Sequence, residues 1–131
     1  MSTRYIETIG RRKTSTARVR ITESTKPSFV VNGKSVEDYF PTREMQVVCK
    51  EALEKSGIKA EFVITVVVSG SGIHSQAEAV RHGLSRALVV READLRSTLK
   101  KIGFLKRDPR AKERKHFGLK KARKAPTWSK R

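Results

Sequence analysis

The pattern of apolar and polar positions divides the first hundred residues into short strands and helices. Alternation over residues 4–9 and 17–22 predicts two strands, and the intervening residues 10–16 read Gly-Arg-Arg-Lys-Thr-Ser-Thr. The two strands are therefore expected to form a hairpin with a basic tip. Residues 29–31 predict a third short strand, which ends at the tight-turn dipeptide Asn32-Gly33.

Helical spacing begins after the third strand. Residues 35–40 predict a single helical turn that Pro41 stops, and Thr42 is suited to cap the next helix. Apolar residues three and four positions apart give that helix a buried stripe, and Gly57 ends it. The stripe consists of Met45, Val48, Cys49, Ala52 and Leu53. Cys49 is therefore predicted to be a packed thiol rather than a nucleophile.

The strongest strand signal is residues 62–68, Phe-Val-Ile-Thr-Val-Val-Val, which are apolar except for one threonine. Such a run predicts a central strand that is covered on both faces or nearly so. A Gly-rich turn, residues 69–72, leads into a helix for which Ser75 and Glu78 resemble a capping box. A last helix is predicted over residues 93–101.

This order of elements predicts the α+β class. We expect a two-layer sandwich in which the helices cover one face of a mainly antiparallel, four-stranded sheet. The apolar pattern ends near Gly103. Residues 1–103 are therefore predicted to form one globular domain, and residues 104–131 an extended basic tail.

The charge of the chain is concentrated at its C-terminal end. Residues 100–131 contain 14 of the 30 Lys and Arg residues against only Asp108 and Glu113, a net charge of +12 out of +17 for the whole chain. Such a segment cannot bury enough apolar surface to offset its ordering entropy, so it should order only on a polyanion. Together with a sequence pI near 10.7, this predicts a nucleic-acid partner.

Basic residues of the hairpin extend this prediction to the globular part. Arg11, Arg12 and Lys13 are expected to project from the loop at its tip. Arg18 and Arg20 should share one face of the second strand, because side chains two residues apart point the same way. A solvated strand face would explain the pattern equally simply, but the added loop favours a phosphate-contacting surface.

The Gly-rich turn Ser69-Gly-Ser-Gly72 could present backbone N–H groups to a phosphate. It lacks the Gly-Lys-Ser/Thr of a Walker loop, and Ser75 fills the third glycine position of a dinucleotide fingerprint. A tight turn that lets the helix pack on the sheet is the simpler interpretation. A contact with an RNA phosphate stays open.

Other classes of function find little support. The three histidines, His74, His82 and His116, lack the spacing of metal ligands. His82 is expected to be a surface group. No set of catalytic residues is recognisable in the sequence. No apolar run could span a bilayer, the N-terminus lacks the apolar core of a signal peptide, and one cysteine suits a reducing cytosol. We therefore expect no cofactor, no metal, no membrane and no small-molecule substrate.

Three segments together resemble the bacterial small-subunit ribosomal protein nine family over essentially the full chain. They are residues 10–19 (Gly-Arg-Arg-Lys-Thr-Ser-Thr-Ala-Arg-Val), residues 76–88 with Arg81-His-Gly83 and Arg86-Ala-Leu88, and residues 105–131 with Leu105-Lys-Arg-Asp-Pro-Arg110 and the closing Ser129-Lys-Arg131. The resemblance implies a split β-α-β fold with a left-handed crossover. It also implies a non-enzymatic, structural constituent of the cytoplasmic ribosome.

The resemblance further implies partners and contact residues. The chain would bind small-subunit rRNA in the head, beside neighbouring head proteins, and its tail would reach P-site tRNA. The rRNA-binding candidates are Arg11, Arg12, Lys13, Arg18, Arg20, Arg81, Arg86, Arg107, Arg110, Arg114, Lys115, Lys120, Lys121, Arg123 and Lys124. The tRNA-binding candidates are Trp128, Ser129, Lys130 and Arg131.

The composition of the chain is also compatible with functions outside the ribosome. A general RNA-binding protein or RNA chaperone outside the ribosome would show the same charge. A small nucleotide-dependent kinase is suggested only by fold kinship and the Gly-Ser-Gly turn. A membrane-surface role ranks last, because the tail has no regular apolar face to insert.

Overall fold

The computed structural model describes residues 5–107, which form a five-stranded sheet and four helices. The strands are β1 (Ile6–Arg12), β2 (Ser15–Glu23), β3 (Ser28–Val31), β4 (Lys34–Ser35) and β5 (Phe62–Ser69). The helices are α1 (Val36–Tyr39), α2 (Arg43–Ser56), α3 (Ile73–Arg91) and α4 (Leu95–Ile102). The predicted tail from residue 108 onward lies outside the described residues.

The sheet is mixed and has the strand order β1-β2-β5-β3-β4. The pairs β1–β2, β2–β5 and β3–β4 are antiparallel, whereas β3–β5 is parallel. The α+β class is confirmed, but the prediction of four strands was wrong. Asn32 (φ 49°) and Gly33 (φ 80°) turn the chain back into β4, which at two residues is too short to show a periodic pattern.

The parallel strands β3 and β5 are direct neighbours, joined through α1 and α2. No strand separates them, so the expected split β-α-β unit is absent from the described sheet. The local sequence pattern does not reveal which strands pair, because pairing depends on contacts distant in sequence. The left-handed crossover stays a prediction.

Among residues 5–107, helices cover only one face of β5. Phe62, Ile64, Val66 and Val68 are buried, whereas Val67 between them is 53% exposed. The prediction of cover on both faces was therefore wrong. β-branched residues favour strands whether or not they are buried, so a continuous Val-Ile run does not by itself report two covered faces.

The predicted ends of the early helices are confirmed. Ser35 caps α1 by accepting from the Asp38 N–H, and the Thr42 hydroxyl caps α2 by accepting from the Met45 N–H at 3.3 Å. Gly57 ends α2 in the left-handed conformation, with φ 69°. Each of these signals lies within one turn of the helix end, where local chemistry decides the conformation.

The predicted capping box at the start of α3 was wrong. The helix begins at Ile73, two residues before Ser75, and its N-cap Gly72 provides no side-chain hydrogen bond. Ser75 is buried, and the Glu78 carboxylate accepts a hydrogen bond from Arg12 instead of returning to the backbone. The Glu78 carboxylate therefore joins α3 to β1 and does not cap α3.

Two glycines bring α3 into direct backbone contact with β1. A Cβ atom on Gly10 would lie 1.9 Å from the carbonyl oxygen of Ala79 and 2.2 Å from the nitrogen of Gly83. The Thr8 hydroxyl also donates to the Gly83 carbonyl at 2.6 Å. α3 therefore lies across the edge strand of the sheet, and its side chains frame that edge.

The thiol of Cys49 is packed between α2 and α3, as predicted. It is fully buried, and burial raises its pKa to about 12. Arg81 and Lys50 act in the opposite direction but do not offset burial. Cys49 is a core residue without nucleophilic chemistry.

We expect the folded protein to resist iodoacetamide near pH 8.5. A pKa of about 12 leaves roughly a thousandfold less thiolate than an ordinary cysteine has, and only the thiolate reacts. Alkylation followed by mass spectrometry should give slow labelling in buffer and rapid labelling in denaturant. Equal labelling rates in both conditions would contradict a packed, protonated thiol.

Candidate nucleic-acid interface

The tip of the β1–β2 hairpin is tighter than the sequence indicated. β1 runs to Arg12 and β2 starts at Ser15, so only Lys13 and Thr14 form the turn, with Lys13 at φ 54°. The expected loop over residues 10–16 was wrong. Its residues continue the antiparallel ladder, with Arg12 opposite Ser15.

This longer strand sends neighbouring arginines to opposite faces. Arg12 is only 9% exposed, and its guanidinium Nε donates to the Glu78 carboxylate. The prediction that Arg12 projects from the loop was therefore wrong, because strand alternation turns it toward α3. Arg11 points the other way and is exposed.

Arg11 lines an open groove of about 760 Å³ along the outer edge of β1, here called the β1-edge groove. It is lined by Glu7, Thr8, Ile9, Arg11, His82, Arg86, Val90 and Arg107. Three arginines face one carboxylate there, so the groove attracts anions. A smaller adjoining cavity adds Arg96. Arg96 was not predicted as a contact residue, because only its position beside Arg86 in the lining of this cavity makes it a candidate.

Backbone hydrogen bonds position two of these arginines. Arg86 Nη1 donates to the Ile9 carbonyl, and Arg107 Nη2 donates to the Lys13 carbonyl at 3.0 Å. Each bond engages one of the five N–H groups of a guanidinium, which leaves further donors for bidentate contact with a phosphate. The bond to Ile9 also covers part of the edge strand β1, and the bond to Lys13 reaches the hairpin turn.

The open face of the sheet carries the predicted pair Arg18 and Arg20, of which Arg18 is exposed and Arg20 is half-buried. The position of Glu7 between them was not predicted from the sequence. The Glu7 carboxylate lies 3.8 Å from Arg18 Nε and 3.3 Å from Arg20 Nε, while Arg20 also stacks 4.5 Å from the centroid of the Tyr5 ring. This face is less positive than the β1-edge groove.

Arg81 is engaged inside the fold. Its Nη1 donates to the Glu51 carboxylate at 2.9 Å, and its guanidinium lies 4.8 Å from the centroid of the Phe104 ring. Its predicted rRNA contact would have to compete with both partners. Arg81 and Arg86 lie on the same helix, so only their contacts with residues distant in sequence distinguish their roles.

His82 is half-buried, so its prediction as a surface group was wrong. Its Nδ1 accepts from the Arg11 N–H at 3.2 Å, and its Nε2 lies 3.3 Å from the Leu105 carbonyl oxygen. Burial is the main cause that lowers the pKa of His82; the charges of Arg86 and Arg107 act in the same direction, and the hydrogen bonds with Leu105 and Arg11 act against it. The ring links β1 to the residues that follow α4.

The Gly-rich turn after β5 packs against the hairpin tip. The Gly70 carbonyl accepts from Ser15 Oγ at 2.9 Å and from Gln76 Nε2 at 3.1 Å. Gly70 adopts φ 86°, and a Cβ atom there would lie 2.4 Å from the Thr14 carbonyl oxygen. The turn thus serves packing, and a contact of its exposed residues with RNA stays a prediction.

Within residues 5–107 no three His, Cys, Asp or Glu side chains are grouped so that they could hold a metal ion. None of the described helices is both long and apolar enough to cross a membrane. The candidate contacts in the tail lie outside the described residues. They are Arg110, Arg114, Lys115, Lys120, Lys121, Arg123, Lys124, Trp128, Ser129, Lys130 and Arg131.

Comparison with known proteins gives one family. A family model described as ribosomal protein S9/S16 matches residues 10–131. The match includes the end of β1 from Gly10 onward, every later element of the described domain and the basic tail.

Proposed function

Because the chain belongs to the ribosomal protein S9/S16 family, we propose that it is a structural constituent of the small ribosomal subunit, bound to the rRNA of the head. Family membership makes it a ribosomal protein, an rRNA-binding ribonucleoprotein component that acts in translation on the cytoplasmic ribosome. Members of the family are generally structural rather than enzymatic. Their expected partners are rRNA and other ribosomal proteins.

The observation that carries the proposal is the gathering of Arg11, Arg86 and Arg107 in the β1-edge groove, immediately before the basic tail begins. Residues 108–131 add ten Lys and Arg residues against two acidic ones. The groove and the tail, which follows Arg107 in the sequence, therefore both offer cations to an RNA backbone. Such contacts gain affinity through counterion release and position the protein with little reading of bases.

The last residues of the tail are proposed to contact P-site tRNA. Lys130 and Arg131 supply cations for phosphates, and Trp128 supplies a ring that can stack on a base or sugar. Ser129 adds a hydroxyl donor. The support is the match of this end to the family and its chemistry.

Replacing both Lys130 and Arg131 by alanine is expected to leave the protein in small subunits but to weaken P-site tRNA binding about three- to tenfold, since up to two phosphate contacts are lost. Filter binding of tRNA to purified subunits measures the effect. The matched control replaces Lys34 and Lys55, which lie in β4 and α2, by alanine. Unchanged tRNA affinity in the tail variant would refute the tRNA contact.

Sedimentation of a cell lysate distinguishes the ribosomal role from a general RNA-binding role. In moderately high salt the tagged protein should remain in small-subunit and whole-ribosome fractions, at one copy for each subunit. Release into the unbound fraction would indicate an RNA chaperone outside the ribosome, because nonspecific phosphate contacts weaken steeply with salt.

A further inference from the structure

The segment that joins the domain to the basic tail is itself part of the folded structure. We call residues 103–107 the tail root. Gly103 ends α4 in the left-handed conformation (φ 93°), and the Phe104 N–H then donates to the Leu99 carbonyl at 3.1 Å. Phe104 is only 8% exposed, so the chain turns back onto the domain after α4.

Arg81 of α3 contacts the ring of Phe104 and is itself paired with α2. The Arg81 guanidinium lies 4.8 Å from the ring centroid, and Arg81 is fixed in turn by its 2.9 Å hydrogen bond to Glu51 of α2. A cation over an aromatic face is attracted by the ring quadrupole, the more so when both are partly desolvated. The first turn of the tail root is therefore attached to α2 and α3.

His82 attaches the next residue. The Arg11 N–H can only donate, so Nδ1 of His82 must accept, and Nε2 must carry the proton. That Nε2–H then donates to the Leu105 carbonyl at 3.3 Å. One neutral imidazole on α3 thus joins the edge strand β1 to the tail root, and burial in a cluster of arginines favours this neutral form.

The tail root ends beside the hairpin tip, where Arg107 Nη2 donates to the Lys13 carbonyl at 3.0 Å. We propose that His82 is a positioning residue, which holds the tail root against β1 and so keeps Arg107, from which the basic tail continues in the sequence, at the β1-edge groove. Groove and tail then meet one RNA without the entropic cost of aligning them on binding. The inference rests on the proposed RNA-binding role of the tail.

Two substitutions of His82 separate its two hydrogen bonds. The amide of Asn reaches about the position of Nδ1, so His82→Asn keeps an acceptor for Arg11 but loses the donor to Leu105. The amide of Gln reaches about the position of Nε2, so His82→Gln keeps the donor to Leu105. Circular dichroism checks that each full-length variant folds. Each variant is the control for the other, because both replace the imidazole but each keeps a different one of its two hydrogen bonds.

The first readout is tryptic cleavage after Lys106, which needs no RNA. Trypsin must draw Phe104 and Leu105 into its cleft, so the tail root has to detach first. We expect His82→Asn to accelerate this cleavage about three- to tenfold relative to cleavage after Lys59, and His82→Gln to leave it near the wild-type rate. Equal rates in all three proteins would overturn the positioning role.

The second readout is affinity for a fragment of the 3′ major domain of small-subunit rRNA, measured for the full chain. His82→Asn should weaken binding about three- to tenfold, and a variant with Arg123 and Lys124 changed to glutamine should lose less affinity in the His82→Asn background than in the wild type. Strictly additive losses would overturn the coupling between tail root and tail. If the Arg123 and Lys124 variant binds as the wild type does, the proposed rRNA contact of the tail fails, while the cleavage rates still decide how the tail root is held.

Discussion

Replacing Gly10 by alanine is expected to lower the free energy of unfolding by about 3 kcal/mol or more. The new Cβ would lie 1.9 Å from the Ala79 carbonyl oxygen and 2.2 Å from the Gly83 nitrogen, and both are backbone atoms of α3. α3 would therefore have to move away from β1 as a whole. Urea denaturation followed by circular dichroism measures the loss.

Two further glycines make a graded comparison. At Gly83 a new Cβ would lie 2.7 Å from Cγ2 of Val19 and 3.0 Å from the Gly10 nitrogen, which are longer distances than those at Gly10, so Gly83→Ala should cost about 1–3 kcal/mol. At Gly72 nothing lies within 4 Å, so Gly72→Ala should cost about 1 kcal/mol or less. A Gly10→Ala protein as stable as the Gly72→Ala protein would show that α3 and β1 are not in backbone contact.

Changing Arg11, Arg86 and Arg107 together to glutamine is expected to weaken binding to the rRNA fragment about a hundredfold at low salt. The log–log dependence of the affinity on salt should become about two to three units less steep, since each phosphate contact contributes nearly one unit. These arginines line the β1-edge groove, and none has an ion pair with a carboxylate among the described residues. Fluorescence anisotropy titrations at several salt concentrations give both quantities.

The matched control changes Lys34, Lys55 and Lys59 to glutamine. It removes the same charge from exposed residues, of which Lys34 lies in β4 at the opposite edge of the sheet. Its effect on the salt dependence should be well below one unit. If both triple variants lose affinity equally, total charge rather than the groove governs binding, and the proposed site is wrong.

Local signals in the sequence predicted much of the secondary structure correctly. Ser35, Thr42 and Gly57 end helices through hydrogen bonds or dihedral angles set within one turn, so the residues themselves are sufficient. The Asn32-Gly33 turn was recognised for the same reason. The short strand β4 that follows the turn was not predicted, because two residues are too few to show an alternating pattern of apolar and polar positions.

The candidate site could be predicted in composition but not in detail. The sequence predicted the same role for Arg11 and Arg12, because the first strand was expected to end at residue 9. The strand in fact continues to Arg12, and strand alternation places the two side chains on opposite faces. Arg81 and Arg86 lie on one helix, yet the first contacts Glu51 and the second lines the groove. Thirty positions separate Arg81 from Glu51, and no local pattern reports such a pair.

The sequence by itself determined the α+β class, most helix ends, the packed thiol of Cys49 and the strongly cationic C-terminal end. These properties follow from local conformational preference, hydrophobic period and formal charge, which need no knowledge of distant residues. Only the tertiary structure decided which face of β5 is covered, which arginines face solvent and where His82 bonds. Those outcomes depend on the close approach of α3 to β1, which brings together residues more than seventy positions apart.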